Sequence, residues 1–266
     1  MKEKKYLTDT TLRDGEQSPG FAFNIAEKAR LAQLMDEAGI YQIEAGVPAM
    51  GKHEKDAICK IVSNKKNARI STWNRIIKED ILHSFDCCPD IIHISAPVSY
   101  VHIYSKLKKN KVWLQKSLQD CVSLALDKGY TVTVGMEDAS RADITFIISI
   151  ANIMKDMGVA GIRFADTVGV LTPFRTYQAI SEIINNTGIS VGIHAHNDLG
   201  MAVANSLEAA KAGADFIDTT LFGIGERAGN CDLNHFISVA DKLFDISPGY
   251  AAAMSLKEYA GEILFK

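Results

Sequence analysis

The sequence predicts an α/β protein folded as one (β/α)8 TIM barrel, and three observations lead there. Short β-branched runs alternate with helical patterns at intervals of roughly 25 to 30 residues, the signature of repeated βα units on a parallel sheet. Several helical stretches end in a glycine that a strand soon follows. Eight such units occupy most of the 266 residues, a length that suits a barrel.

Taken in order, the expected strands cover residues 6–12, 41–45, 69–73, 91–95, 131–136, 161–165, 190–194 and 216–219. Between them, 25–38, 114–128, 144–157 and 201–212 carry apolar residues at three- and four-residue spacing, which puts them on one helical face. Gly39, Gly129, Gly158 and Gly213 stand at their ends. A doubly wound dinucleotide fold is disfavoured because no Gly-x-Gly-x-x-Gly follows the first strand. Residues 1–245 are therefore expected to form the catalytic barrel, with 246–266 as a helical tail beyond the eighth unit.

Composition narrows the class. A chain of this size buries roughly 75% of its unfolded surface, so a full core is within reach. The 47% apolar and 23% charged fractions are ordinary for a globular protein, and a net charge of -3 argues against a nucleic-acid partner. Neither a signal peptide nor a membrane-length apolar run is evident, and the expected location is the cytoplasm. Five irregularly spaced cysteines suit reduced thiols, and Cys87-Cys88 reads more readily as a bystander pair than as a redox or metal motif.

Chemistry concentrates at three strand ends. His194 and His196 are two apart, so on an extended strand both imidazoles project from one face, which is either a metal-ligand spacing or a hydrogen-bonded polar pair. Asn197-Asp198 after them offers acceptors and a helix cap. Arg13-Asp14 ends the first strand, as a plain ion pair or as an arginine placed to stabilise a developing oxyanion beside a liganding carboxylate. Gly223-Ile224-Gly225-Glu226-Arg227-Ala228-Gly229-Asn230 follows the eighth strand. Its glycines allow close backbone approach to a ligand or merely a tight turn, and Asn230 could cap the last helix or complete a metal shell.

Together, Arg13-Asp14-Gly15-Glu16-Gln17, His194-Ala195-His196-Asn197-Asp198-Leu199-Gly200 and the late glycine loop resemble the metal-dependent, Claisen-condensing branch of the barrel metallolyases: the isopropylmalate, citramalate and homocitrate synthases. Ile43-Glu44-Ala45-Gly46-Val47-Pro48, Thr72-Trp73-Asn74-Arg75, His93-Ile94-Ser95-Ala96-Pro97-Val98-Ser99 and Gly135-Met136-Glu137-Asp138-Ala139-Ser140-Arg141 most resemble the homocitrate synthases of nitrogen-fixing bacteria. Hydroxymethylglutaryl-CoA lyases share the Arg-Asp-Gly and His-x-His pieces but carry a cysteine-bearing glycine loop, which is absent here.

The resemblance implies metal ligands at Asp14, His194, His196 and Asn230, with magnesium or manganese ahead of zinc or iron. It implies Arg13 as the carbonyl-polarising group, Glu137 as the acid-base carboxylate and Glu44 as a further group near the reacting atoms. Gln17, Arg75, His93, Ser95 and Thr167 are expected to bind substrate, their polarity favouring 2-oxoglutarate over a branched keto acid. The implied reaction condenses acetyl-CoA with the 2-oxo acid and hydrolyses the thioester. An isopropylmalate or citramalate synthase and a non-catalytic barrel subunit are the competing readings. Family members continue into C-terminal helical subdomains, so a homo-oligomer, or a second chain that supplies that part, is the expected partner. The tail then serves as a docking segment or closes the barrel itself.

Overall fold

The computed structural model describes residues 2–265; Met1 and Lys266, the outermost residues of the expected barrel and tail, lie outside the described residues. Eight parallel strands close on themselves: β1 (Lys4–Asp9), β2 (Gln42–Gly46), β3 (Arg69–Arg75), β4 (Ile91–Pro97), β5 (Thr131–Glu137), β6 (Gly161–Asp166), β7 (Val191–Ala195) and β8 (Phe216–Thr219). The closure is visible in β1, which pairs with β8 from Tyr6 to Asp9 and with β2 through Thr8 and Asp9. The fold is a (β/α)8 barrel. Helices α1 (Ile25–Ala38), α2 (Lys52–Asn64), α3 (Lys78–Phe85), α4 (Lys111–Leu126), α5 (Ile144–Asp156), α6 (Pro173–Thr187), α7 (Ala202–Lys211) and α8 (Leu233–Ala240) surround it.

Local chemistry starts and stops these elements where the sequence says it should. Asn24 caps α1 as a full capping box with Glu27, and Gly39 ends it in the left-handed conformation, which a residue without a Cβ adopts freely. The apolar residues of each strand that face outward, such as Ile43, Ile70, Ile92 and Val134, are buried beneath the helices. Inward positions are different. They carry Thr8, Ser71, Thr133, Glu44, His93, Arg163 and Asp218 among the apolar side chains, so the barrel axis is polar for much of its length.

Beyond the eighth unit, β9 (Asp245–Ser247) adds a short strand beside Lys4–Tyr6 of β1, and α9 (Tyr250–Leu264) packs between α1 and α8. Ala253, Leu256, Ala260 and Leu264 of α9 are buried, and the Asn234 amide of α8 donates to the Ala253 carbonyl at 2.8 Å. Described residues of the tail are thus built into the shell. Among the described residues no helix is long and apolar enough to cross a membrane, and all five cysteines are free.

Candidate metal centre and active site

The turn after β1 is wound so tightly that the Thr10 carbonyl accepts from the N–H groups of Arg13, Asp14 and Gly15. That winding brings Asp14 back over the barrel mouth. His194 is the penultimate residue of β7 and His196 lies just past its end, so both rings turn inward as the two-residue period requires. His196 bridges to Asn230, and the Asn197 N–H donates to the Gly229 carbonyl at 2.8 Å, which clamps the loops after β7 and β8 together. Gly225 permits this approach: a Cβ there would lie 2.0 Å from the Asn230 side-chain nitrogen.

Asp14, His194 and His196 are all buried, with ligand atoms within 4.8 Å of one another. His194 Nδ1 faces the Asp218 carboxylate at 2.9 Å, and His196 Nδ1 faces the Thr167 carbonyl at 3.0 Å. A nitrogen facing an acceptor carries the hydrogen, which fixes Nδ1–H on each ring and leaves Nε2, 3.1 and 3.6 Å from Asp14, as the atom whose lone pair a cation would take once any proton there is displaced. His196 Nε2 is a buried atom without a hydrogen-bond partner. Two imidazole lone pairs and a carboxylate converging on one point fit a divalent cation, with outer acceptors fixing each tautomer.

Charge balance points the same way. Burial disfavours an ionised Asp14, yet Arg13 and the two histidines outweigh it and hold its pKa well below the ordinary carboxylate range. Burial also pulls His194 down, but Asp14 and Asp218 lift it to about 9. Asn230 donates its side-chain nitrogen to Asp14 Oδ1 at 3.0 Å, whereas its oxygen has no hydrogen-bond partner. The expected ligation by Asn230 needs its amide turned over. Nor is Asn230 a helix cap, since Asp232 caps α8 by accepting from His235 N.

Beneath the cluster the Arg13 fork donates from Nε to Glu44 at 2.6 Å and from Nη1 to Asp14 at 2.8 Å, with its guanidinium 5.8 Å from the Trp73 ring. Glu44 is wholly buried. Its second oxygen accepts from Arg163 Nη1 at 2.8 Å, and Arg163 Nε meets Asp218 at 2.8 Å. Burial opposes the Glu44 charge, but Arg163 and Arg13 overcome it and drive the pKa far below the usual range. His93 is neutral: burial and the nearby Arg163 hold its pKa well below 6.5.

An open cavity of about 170 Å³ lies above this floor, and Arg13, Asp14, Gln17, His93, Ser95, Glu137, Thr167, His194 and His196 all line it. Asn230, behind Asp14, does not line it, and two more expected site residues fall elsewhere. Arg75, expected to bind substrate, ends β3 with its side chain 58% exposed and paired through two N–H groups with Asp80 in the first turn of α3. Glu44, expected near the reacting atoms, has both oxygens taken by arginines and does not line the cavity. Sequence reasoning passed over Arg163, Asp218 and Trp73. Arg163 and Asp218 are charged residues at inward positions of otherwise apolar strands, a signal that could have found them. His102 was also missed. Its Nδ1 lies 3.9 Å from Glu137, and it sits in a π-helical turn, Val101–Lys106, for which local spacing gives no cue.

The HMGL-like family model matches residues 4–253. The chain belongs to the HMGL-like family. It is 46% identical over 237 residues to the homocitrate synthase subunit alpha of Clostridium pasteurianum, covering 89% of this chain and 88% of that one. Identity is 43% to 2-isopropylmalate synthase 2 of Caldanaerobacter subterraneus and 42% to homocitrate synthase 1 of Nostoc sp., in each case over 92% of this chain. The chain spans only 64% and 65% of the length of those two HMGL-like relatives. In three dimensions it superposes on an HMG-CoA lyase of Bacillus subtilis with a TM-score of 0.88 over 99% of this chain and 95% of that one, at 14% identity, a likeness of fold. Enzymes of the HMGL-like family use a divalent metal, and Asp14, His194 and His196 form the one group among the described residues able to hold it.

Proposed function

We propose that this protein is a homocitrate synthase, condensing acetyl-CoA with 2-oxoglutarate and hydrolysing the thioester to release homocitrate and CoA. The observation that carries the reading is the convergence of Asp14, His194 and His196 beside the Arg13 fork at the wall of one cavity. Relatives named homocitrate synthase at 42% and 46% identity support it.

When bound, the cation, magnesium or manganese ahead of the zinc or iron that the same donor set accepts, supplies Lewis acidity to the keto group. Arg13, with Nε and Nη1 held by Glu44 and Asp14, keeps the rest of its fork for the substrate oxygen that gains charge. Glu137 serves in this reading as the acid-base carboxylate. Asp14 is bound to Arg13 and the histidines, whereas Glu137 sits on the cavity wall beside His102. It takes the proton from the acetyl methyl group; the resulting enolate carbon bonds to the keto carbon, the keto oxygen takes up that proton as a hydroxyl, and water splits the thioester into a carboxylate and free CoA thiol. His93, Ser95 and Thr167 give the acceptor pocket a polar wall suited to a second carboxylate rather than a branched alkyl group.

We further infer that the working enzyme contains a second chain, a reading supported by the relative named as a subunit alpha, and that the protein acts in the cytoplasm. We keep the expected division into a catalytic barrel, 1–245, and a tail, 246–266, as part of this proposal. CoA release assayed with pyruvate, 2-oxoisovalerate and 2-oxoglutarate, with Mn2+ and the partner chain present, tests the function. Turnover with 2-oxoglutarate at least tenfold above the others is expected, and preference for 2-oxoisovalerate would overturn the assignment in favour of an isopropylmalate synthase.

A further inference from the structure

The side chains under the cavity form a closed circuit. Arg13 Nε donates to Glu44 Oε1 at 2.6 Å, and Arg163 Nη1 donates to Glu44 Oε2 at 2.8 Å. Arg163 Nε meets Asp218 Oδ2 at 2.8 Å, and His194 Nδ1 faces that same oxygen at 2.9 Å. His194 Nε2 lies 3.1 Å from Asp14 Oδ2, to which Arg13 Nη1 donates at 2.8 Å, and the path is back where it began. Six side chains from the β1 turn, β2, β6, β7 and β8 take part, and each carboxylate in the circuit lies between two cationic or N–H groups.

Two of the six, Arg163 and Asp218, have no role in the reaction as described so far. Asp218 fixes the His194 tautomer, but that task alone does not call for a charged, arginine-paired group, since a main-chain carbonyl performs it for His196. What a carboxylate shared with an arginine adds is connection. Arg163 reaches across the barrel axis from β6 to Glu44 on β2, so the group holding His194 is tied to the group holding Arg13. All six are buried or nearly so. In such surroundings a charge that loses one partner is expensive, which makes the arrangement cooperative rather than a sum of pairs.

We propose that Asp218 and Arg163 are positioning residues that set the aim of His194 and the reach of Arg13 as one unit. The inference rests on the metal-dependent reading of the site. The test measures Mn2+ affinity by titration calorimetry of the full chain as wild type, Asp218→Asn, Glu44→Gln and the double variant, with folding checked by circular dichroism. Asp218→Asn is expected to weaken Mn2+ binding by roughly 10- to 100-fold, as loss of an outer partner of a liganding histidine does. Glu44, which touches no liganding group, is expected to cost at least about threefold when changed to Gln. In the double variant the circuit is already open, so binding should fall within about twofold of the weaker single variant.

Wild-type affinity in Glu44→Gln, or single penalties that multiply in the double variant, would overturn the inference while leaving the metal site standing. A wild-type chain that binds no Mn2+ would end both. If the variants do not fold, 15N–1H imidazole spectra of the Mg2+-loaded wild type decide: the circuit requires a proton on His194 Nδ1, and its absence would refute it.

Discussion

His196 Nε2 is a buried nitrogen aimed at Asp14 with no hydrogen-bond partner, and a cation between them would take its lone pair. His196→Ala should therefore weaken Mn2+ binding by at least about 100-fold, measured by calorimetry. The pH dependence follows from His194. Its neighbours hold the proton up to about pH 9, and a cation must displace that proton. Affinity should climb about tenfold per pH unit through the neutral range and level off above about pH 9. Asp9 gives a separate pH signature. Burial raises its pKa from 3.8 to about 7, so the folded state resists ionising a group that the unfolded chain ionises freely. Because the folded pKa is the higher one, stability falls as pH rises between those values and is flat above them. Asp9→Asn should gain stability over wild type across that window, and urea melts at pH 5 and pH 8 would show the gap widening. The convergence of His194 and His196 was legible in the sequence because a two-residue spacing at a strand end turns both rings to one side. The circuit was not, since no local pattern says which inward charges meet across an axis.

At the scale of elements, expected and observed strands mostly agree to within one or two residues, because a parallel strand buried on both faces leaves a dense apolar run. The first strand departs most. It was expected to run to Leu12 and ends at Asp9, where the Asp9 side chain accepts from Thr11 N and starts the turn that carries Asp14. The short β9 and the π-helical turn at Val101–Lys106 were invisible, being held by tertiary contacts rather than by periodicity. Arg75 was misread for a related reason. Its position at a strand end was clear, but its partner Asp80 lies in the next helix, and the pair ties β3 to the first turn of α3. Arg75→Ala should cost about 1 kcal/mol or less, given how exposed the arginine is. Its KM for the 2-oxo acid should stay within twofold of wild type in steady-state assays, whereas a large rise would return Arg75 to the pocket.

The whole molecule is a shell of nine helices among the described residues, and α9 is one of them. Leu256, 3% exposed, is wedged in the seam that α9 shares with α1 and α8. Leu256→Ala should cost about 2–5 kcal/mol in chemical denaturation, as removal of a well-packed leucine does. Tyr259→Ala, on the exposed face of the same helix, should stay within about 0.5 kcal/mol of wild type. Equal effects would mean that the helix is not seated in the seam.

The spacing of Asp14, His194 and His196 along the chain also governs how the molecule assembles in time. About 180 residues separate the first of these groups from the other two, and β1 must meet β8 before they can share an ion. Closing so long a loop comes late in folding, because its entropy is lost before any contact repays it. A divalent cation should then leave the refolding rate nearly unchanged and slow unfolding instead. At a hundredfold excess over its dissociation constant the stabilisation is about 2.7 kcal/mol, roughly a hundredfold in rate, and nearly all of it should fall on the unfolding limb of a stopped-flow chevron. An accelerated refolding limb would show that the two ends of the barrel find each other early.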